Sequence, residues 1–293
     1  MWFLASNRIP RRLATQLFGW FSRIEQPLVA ALSLALWRRF ADLRLDEAKK
    51  TRFTSVHDCF IRELKPDARP IDPDPEGLSS PCDGIIGEHG TIIAGQLLQA
   101  KGFAYRLDEL LGDPALSRCY EGGRFVTIRI TSSMYHRFHA PATGSVRRID
   151  YLSGDTWNVD PIALQRIEAL FCRNERAVVH FETARDGIRL LLVPIAAILV
   201  AGIRFHFFDT RLHPRYRSSD RIDRGSECEI DCGIDFGMQG NARHAKGEEM
   251  GWFEHGSTIV VIAPADVDVS DGVHTGARIR VGEPLMRISR RAG

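Results

Sequence analysis

Apolar residues follow two different periods along this chain, and the change between them divides it into two parts. Near the N-terminus they recur three or four positions apart, at Leu13, Leu17, Trp20, Phe21 and Ile24. This is the spacing of one apolar face of an α-helix. A nearly unbroken apolar run over residues 28–37 follows. The first part of the chain is therefore predicted to form amphipathic or apolar helices.

Farther along, the apolar runs have the length of β-strands. Glycines and charged turns separate them, and they occupy residues 84–93, 124–130, 144–151, 177–182, 188–193, 197–205 and 257–263. One helix is predicted over residues 161–171, because a proline suits the first turn of a helix. We expect an α+β fold: a mostly antiparallel, β-rich domain preceded by N-terminal amphipathic helices.

A cluster of prolines and aspartates over residues 66–75 separates the two parts. This sequence, PDARPIDPDP, is poorly compatible with a helix and is typical of a linker. We place the boundary at its start, which predicts an N-terminal helical region over residues 1–65 and a β-rich domain over residues 66–293.

Charge is distributed unevenly along the 293 residues. The totals, 39 basic against 37 acidic residues, are too balanced for a nucleic-acid-binding protein. Residues 1–52, however, hold ten basic and four acidic residues. Trp2, Trp20 and Trp37 also lie there, and the apolar run is too short to span a bilayer, which needs about 20 residues. We expect this region to lie on an anionic membrane surface; packing on the body, a dimer contact and a cleaved transit peptide are the alternatives.

The six cysteines are spread thinly, without the density of a disulfide scaffold. Cys228 and Cys232 form a C-x3-C pair, but this spacing fits no standard zinc site. We predict free thiols and no metal.

Three short segments carry candidate chemistry: Pro81-Cys-Asp-Gly84, Tyr135-His-Arg-Phe-His139 and Gly256-Ser-Thr258. Together they offer Asp83, His139 and Ser257, the three side-chain types that activate a hydroxyl. These side chains would also suit a serine hydrolase, which we keep as an alternative. The chain, however, has no G-x-S-x-G elbow of the kind that such enzymes carry. A glycine before Ser257 also leaves room for the hydroxyl to attack the preceding carbonyl of its own chain.

These segments resemble the phosphatidylserine decarboxylase proenzymes of the bacterial and mitochondrial type, and the resemblance covers nearly the whole chain. Its matches also include Phe60-Ile-Arg-Glu-Leu, Ala68-Arg-Pro-Ile-Asp, Lys101-Gly-Phe-Ala-Tyr-Arg-Leu-Asp-Glu-Leu-Leu111, Ala169-Leu-Phe-Cys-Arg-Asn-Glu-Arg176, Val200-Ala-Gly-Ile203 and Lys246-Gly-Glu-Glu-Met-Gly251. Departures include Cys82, where valine is usual, and His255, where leucine is common.

The resemblance implies a self-processing reaction. Asp83 would orient His139, His139 would deprotonate Ser257, and the Ser257 oxygen would attack the Gly256 carbonyl. The resulting ester would cleave by β-elimination into a β chain, residues 1–256, and an α chain, residues 257–293. Ser257 would become a covalent pyruvoyl group, so no external cofactor is expected.

The resemblance also implies the second reaction. The pyruvoyl group would form a Schiff base with phosphatidylserine, which would lose CO2 to give phosphatidylethanolamine. His136 is our candidate for returning the proton. The α and β chains would stay associated as a homodimer of αβ units, bound peripherally to the cytoplasmic face of a bacterial inner membrane. A lipid-binding relative that does not mature is the non-enzymatic alternative.

Overall fold

A computed structural model of the chain describes residues 11–100, 103–197, 202–212, 232–235, 242–254 and 257–289. The helices in these ranges are α1 (Arg11–Ser22), α2 (Pro27–Phe40), α3 (Val56–Phe60), α4 (Leu107–Leu111), α5 (Pro114–Arg118), α6 (Pro161–Leu164) and α7 (Leu170–Arg173). The strands are β1 (Gly77–Ser79), β2 (Gly84–Thr91), β3 (Gln96–Ala100), β4 (Phe103–Arg106), β5 (Arg124–Ile130), β6 (Arg137–His139), β7 (Gly144–Leu152), β8 (Arg176–Thr183), β9 (Arg189–Ala196), β10 (Ile203–Phe205), β11 (Phe208–Leu212), β12 (Cys232–Asp235), β13 (Arg243–His244), β14 (Glu249–Phe253), β15 (Ser257–Ala263), β16 (Val267–Val269), β17 (Arg278–Ile279) and β18 (Pro284–Ile288).

One large antiparallel sheet forms the centre of the fold. Its strand order is β12-β7-β8-β9-β15-β5-β2-β17, with β13 also paired to β7. Strand β15 lies in the interior of this sheet, paired along its length with β5 on one side and with β9 on the other. The predicted α+β fold, with a mostly antiparallel and β-rich body, is confirmed.

Both faces of the large sheet are covered. Ile259 and Val261 of β15 belong to one buried apolar cluster, whereas Val260 and Ile262 belong to the other. Side chains on a strand alternate between the two faces, so a strand buried on both sides must be apolar at successive positions. This explains why residues 257–263 form a continuous apolar run.

A second, four-stranded sheet has the order β11-β10-β14-β6. In it Glu249 is paired with His139, and Trp252 is paired with Arg137. The strand that carries the predicted histidine motif therefore lies directly beside the strand that leads toward residue 257. Two smaller sheets, β1-β18-β16 and β3-β4, complete the described strands.

The N-terminal helices α1 and α2 confirm the predicted helical part of the chain. Several of their large apolar side chains are exposed, among them Trp20 (69%), Leu28 (78%) and Leu32 (71%). Trp37 of α2 stacks on Phe60 of α3, with 5.7 Å between ring centroids, and so joins the helices to the body. In the described part of the chain, no helix is both long enough and apolar enough to span a membrane.

Two predicted elements are wrong. In the predicted strand 197–205, residues 198–201 lie outside the described residues, and of the others Ala197 and Gly202 are not in a strand; strand β10 covers Ile203–Phe205 and belongs to the second sheet. Residues 161–171 form two short helices rather than one, because Ala169 has a left-handed φ of 49° and interrupts the helical path. The other predicted strands agree with the structure to within a few residues, and two of them, 124–130 and 257–263, agree at both ends.

Gly251 should be intolerant of a side chain. A Cβ atom there would lie 1.9 Å from the Arg204 carbonyl oxygen and 2.8 Å from Cζ of Phe138. We expect Gly251→Ala to lower the free energy of unfolding by about 2 kcal/mol or more, because β10 and β14 would be forced apart. Chemical denaturation measures this change.

Gly272→Ala is the matched control, because nothing lies within 4 Å of a Cβ at that position. We expect it to change the free energy of unfolding by less than about 0.5 kcal/mol. Equal stability of the two variants would contradict the proposed close approach of the strands.

Candidate active site

The candidate site lies at one end of two central strands of the large sheet, where β5 ends and β15 begins. The backbone of Ser257 is paired with Ile130 on one side and with Ala196 on the other. After Ile130 the chain leaves the sheet through residues 131–136 and enters β6. Two predicted residues of this region, His255 and Gly256, lie outside the described residues.

His139 is held through both ring nitrogens. Its Nδ1 lies 2.9 Å from the Gly247 carbonyl oxygen, and its Nε2 lies 3.0 Å from the Tyr135 hydroxyl. A carbonyl oxygen can only accept, so Nδ1 carries the proton and Nε2 is the basic nitrogen. The Tyr135 hydroxyl therefore donates to the nitrogen that could take up a proton.

The surroundings of His139 keep its Nε2 unprotonated, and so able to accept a proton, near neutral pH. Burial lowers the pKa of His139 from its usual value, while the Gly247 bond and the negative charges of Glu249 and Asp83 act in the opposite direction. The ring is thus neutral at pH 7, and the nearby carboxylates favour the imidazolium that would form on protonation.

Among the described residues, Asp83 makes no hydrogen bond to His139, and the orienting role that the resemblance implies for Asp83 stays a prediction. Its carboxylate accepts instead from the Arg69 guanidinium, with Nε 2.9 Å and Nη2 2.5 Å away, and from the Val281 amide at 2.9 Å. The guanidinium carbon of Arg69 lies 5.9 Å from the Tyr135 ring centroid. Asp83 and His139 are therefore connected through Arg69 and Tyr135.

The sequence analysis did not predict Arg69 or Tyr135 as site residues. Both lie within quoted motifs, Tyr135 directly before the first histidine and Arg69 in Ala68-Arg-Pro. Burial is the largest single influence on the pKa of Arg69 and lowers it. The hydrogen bonds and negative charges of Asp83 and Glu47 together outweigh burial, so the pKa is raised. Burial raises the pKa of Tyr135, so its hydroxyl remains a donor.

His136 has different surroundings from His139. Its ring is fully buried, with Nδ1 2.8 Å from the Met134 carbonyl oxygen and the ring centroid 3.9 Å from that of Phe60. Its own carbonyl accepts from the Phe253 amide at 2.9 Å. His139, in contrast, pairs with Glu249. Glu249 precedes Phe253 by four residues, which is about 13 Å along a strand. Along this strand pair His136 is the histidine nearer to residue 257.

Glu254, which follows β14, is a buried carboxylate. It accepts from the Arg23 guanidinium of the helical region at 2.6 Å, and Nε of Arg204 lies 3.5 Å away. Because the Glu254 carboxylate is buried and needs a charged partner, this contact joins the residue after α1 to the segment that precedes Gly256.

An apolar cavity of about 630 Å³ lies between the N-terminal helices and this end of the large sheet. On the helix side it is lined by Phe21, Leu36, Trp37 and Phe40, and on the sheet side by Ile130 and Ala197. Since Leu36 and Phe40 are also largely exposed, the cavity reaches the surface on the apolar face of the helices. Ile130 connects this cavity to the backbone of Ser257.

Sequence comparison identifies the class of protein to which this fold and site belong. A profile of the phosphatidylserine decarboxylase family matches residues 56–287. This range covers most of the chain and includes every described segment of the site apart from Arg23 and the N-terminal helices. The chain therefore belongs to the phosphatidylserine decarboxylase family, an enzyme family of carboxy-lyases.

Individual relatives agree with this assignment. The chain is 34% identical over 284 residues to the phosphatidylserine decarboxylase proenzyme of Erwinia tasmaniensis, covering 94% of this chain and 91% of the relative. It is 30% identical over 296 residues to the proenzyme of Saccharophagus degradans, covering 99% and 98%. It is 32% identical over 248 residues to that of Brevibacillus brevis, covering 83% and 82%. The family resemblance stated from the sequence motifs is confirmed.

Proposed function

We propose that this protein is a proenzyme that cleaves itself between Gly256 and Ser257 and then converts phosphatidylserine to phosphatidylethanolamine and CO2. The relatives of similar length are named as proenzymes of this activity, which supports the proposal. The observation that carries it is the position of Ser257 at the first residue of β15, where its backbone is paired with Ile130, a residue that lines the apolar cavity. The strand that leads toward Ser257, β14, is paired with β6, which carries His139.

In the maturation reaction the Ser257 hydroxyl loses its proton to His139 and attacks the Gly256 carbonyl carbon. The peptide C–N bond breaks as the new ester C–O bond forms, and the proton moves to the freed amine. Loss of the Ser257 α-proton then expels the Gly256 carboxylate and leaves dehydroalanine. Water replaces its nitrogen, releasing ammonia and leaving a pyruvoyl group at residue 257.

The neighbouring residues suit this sequence of proton transfers. Nε2 of His139 is the basic nitrogen, and the carboxylates of Asp83 and Glu249 favour its protonated form. Asp83 supports His139 through Arg69 and Tyr135 in this uncut chain rather than by a direct bond. When formed, the pyruvoyl carbonyl supplies an electron sink for the electron pair that departing CO2 leaves behind. His136 is the proposed proton donor to that carbon.

The cut does not require the chains to separate. Strand β15 is hydrogen-bonded to β5 from Ser257 through Ala263 and to β9 from Ser257 through Ile262. Because both edges of the strand are paired, the α chain, residues 257–293, remains part of the sheet after cleavage. The predicted homodimer of αβ units stays a prediction.

The helical region supports a peripheral membrane location. Its exposed apolar side chains, three tryptophans and excess of basic residues suit an anionic lipid surface. The cavity opens on that same apolar face, so a lipid could enter without crossing water. We propose that the protein binds the cytoplasmic face of a bacterial inner membrane.

Intact mass spectrometry tests maturation. We expect the purified wild type to give two chains, residues 1–256 and residues 257–293 with a pyruvoyl N-terminus, and Ser257→Ala to remain uncut because no hydroxyl can attack. Ser270→Ala, a serine just after β16, should mature normally. An uncut wild type that still binds lipid vesicles would favour the alternative of a lipid-binding relative that does not mature.

The two histidines should differ in which reaction they affect. We expect His139→Ala to remain uncut, because the base is lost, and His136→Ala to mature but to release at least about 100-fold less CO2, because proton return is lost. The exposed His274 provides a control variant, His274→Ala, which should cleave itself and release CO2 as the wild type does. Since His136 is nearer to residue 257 along β6 and β14, an exchange of the two phenotypes would reverse our assignment.

Vesicle flotation tests the membrane surface. We expect Trp20→Ser, Leu28→Ser and Leu32→Ser together to reduce binding to anionic vesicles at least about tenfold, while self-cleavage continues, because each residue contributes apolar area away from the site. Ile93→Ser, at a similarly exposed position (68%) outside the helices, is the control. Undiminished binding by the triple variant would refute the assigned surface.

A further inference from the structure

Arg129 places a positive charge in the wall of the apolar cavity. It is half-buried near the end of β5 and lies among residues that are mostly aromatic or aliphatic. Within the described chain its guanidinium makes no hydrogen bond or ion pair, although the group carries five N–H donors. Placing such a group in an apolar cavity is costly unless an anion binds it.

The protein itself does not supply that anion from the cavity wall. Asp160 is the only acidic residue among those that line the cavity in the described structure. Its Oδ1 accepts from the Ala163 amide at 2.7 Å, and its Oδ2 accepts from the Asn158 side chain at 2.7 Å. The carboxylate is therefore engaged in holding the start of α6. Burial lowers the pKa of Arg129, which Asp160 only partly opposes, and this fits a guanidinium without a close partner.

The position of Arg129 relative to the candidate site is defined by strand pairing. Arg129 is paired with Thr258 of β15 and with Ile85 of β2. The next residue, Ile130, is paired with Ser257. Arg129 is thus adjacent in sequence to Ile130, the residue whose backbone is paired with the proposed pyruvoyl position, and both residues line the cavity.

This arrangement matches an amphiphile with two apolar chains and an anionic head. The aromatic and aliphatic walls suit acyl chains, and the guanidinium suits a phosphodiester, whose two free oxygens it can bind with paired N–H donors. Phosphatidylserine also carries a carboxylate, but that group leaves as CO2. An arginine on it would stabilise the ground state and slow its loss, so the phosphodiester is the favoured anion.

We propose that Arg129 binds the phosphodiester of the phospholipid and thereby sets the depth at which the lipid enters the cavity. The inference rests on the proposed function for the identity of the lipid. The charge itself, however, predicts binding of any phospholipid that fits the cavity, including one that cannot react.

The experiment uses purified, self-cleaved protein and two probes with equal short acyl chains. Dihexanoyl phosphatidylcholine has the phosphodiester but neither a carboxylate nor a reactive amine, and dihexanoylglycerol lacks the phosphodiester. For the wild type we expect the first to bind at least about tenfold more tightly. Equal affinity would overturn the proposal without the need for any variant.

Variants then locate the charge. We expect Arg129→Met to bind dihexanoyl phosphatidylcholine about tenfold more weakly and to raise the KM for phosphatidylserine more than it changes kcat, whereas Arg129→Lys retains most of the affinity. Arg118→Met, at an exposed arginine of α5, is the control and should match the wild type.

The outcomes separate this inference from the proposed function. If Arg129→Met raises the KM for phosphatidylserine but binds dihexanoyl phosphatidylcholine normally, Arg129 contacts the carboxylate and the proposal is wrong. If both properties are unchanged, the arginine is not a lipid contact. A wild type that neither cleaves itself nor releases CO2 refutes the proposed function, whereas loss of probe preference alone refutes only the role of Arg129.

Discussion

Strand β15 has hydrogen-bonded neighbours on both edges, and this constraint organises the rest of the molecule. Its first residue is Ser257, so the pairing with β5 and β9 fixes the backbone at one side of the proposed scissile bond. The strand is also buried on both faces, which anchors it in two apolar clusters at once. A chemical event at its N-terminal end can therefore occur without loss of the sheet.

The histidine motif depends on the same region through a second sheet. Strand β14 approaches residue 257 from the other direction and is paired with β6, which carries His139. Arg69 and Tyr135 then connect Asp83 with His139. The site is thus assembled from residues of two sheets, and its electrostatics come from residues far apart in sequence.

The helical region belongs to the site as well as to the surface. Trp37 stacks on Phe60, and Phe60 packs on His136, which links helix α2 to a buried imidazole by two ring contacts. Arg23 reaches Glu254 beside the interrupted segment. The cavity between these helices and the sheet reaches the surface at Leu36 and Phe40, two largely exposed apolar residues of α2. The proposed lipid-binding surface therefore lies close to the residues whose backbone is paired with Ser257.

Some of this organisation could be predicted from the sequence. Strands 124–130 and 257–263 were predictable because alternation and continuous apolar runs depend on local side-chain type, and the same is true of the two amphipathic helices. The motifs also identified the family and its candidate residues Asp83, His136, His139 and Ser257. Local patterns failed at residues 197–205 and at Ala169, where tertiary context overrides propensity.

What only the tertiary structure decided is which distant groups meet. The resemblance implied that Asp83 orients His139; the structure shows Asp83 hydrogen-bonded to Arg69, and the Tyr135 hydroxyl hydrogen-bonded to the basic nitrogen of His139. The apolar cavity and the isolated charge of Arg129 within it also have no local signature. Residue types and their periodicity are local properties of the sequence, whereas contacts between remote segments depend on how the sheets and helices pack together.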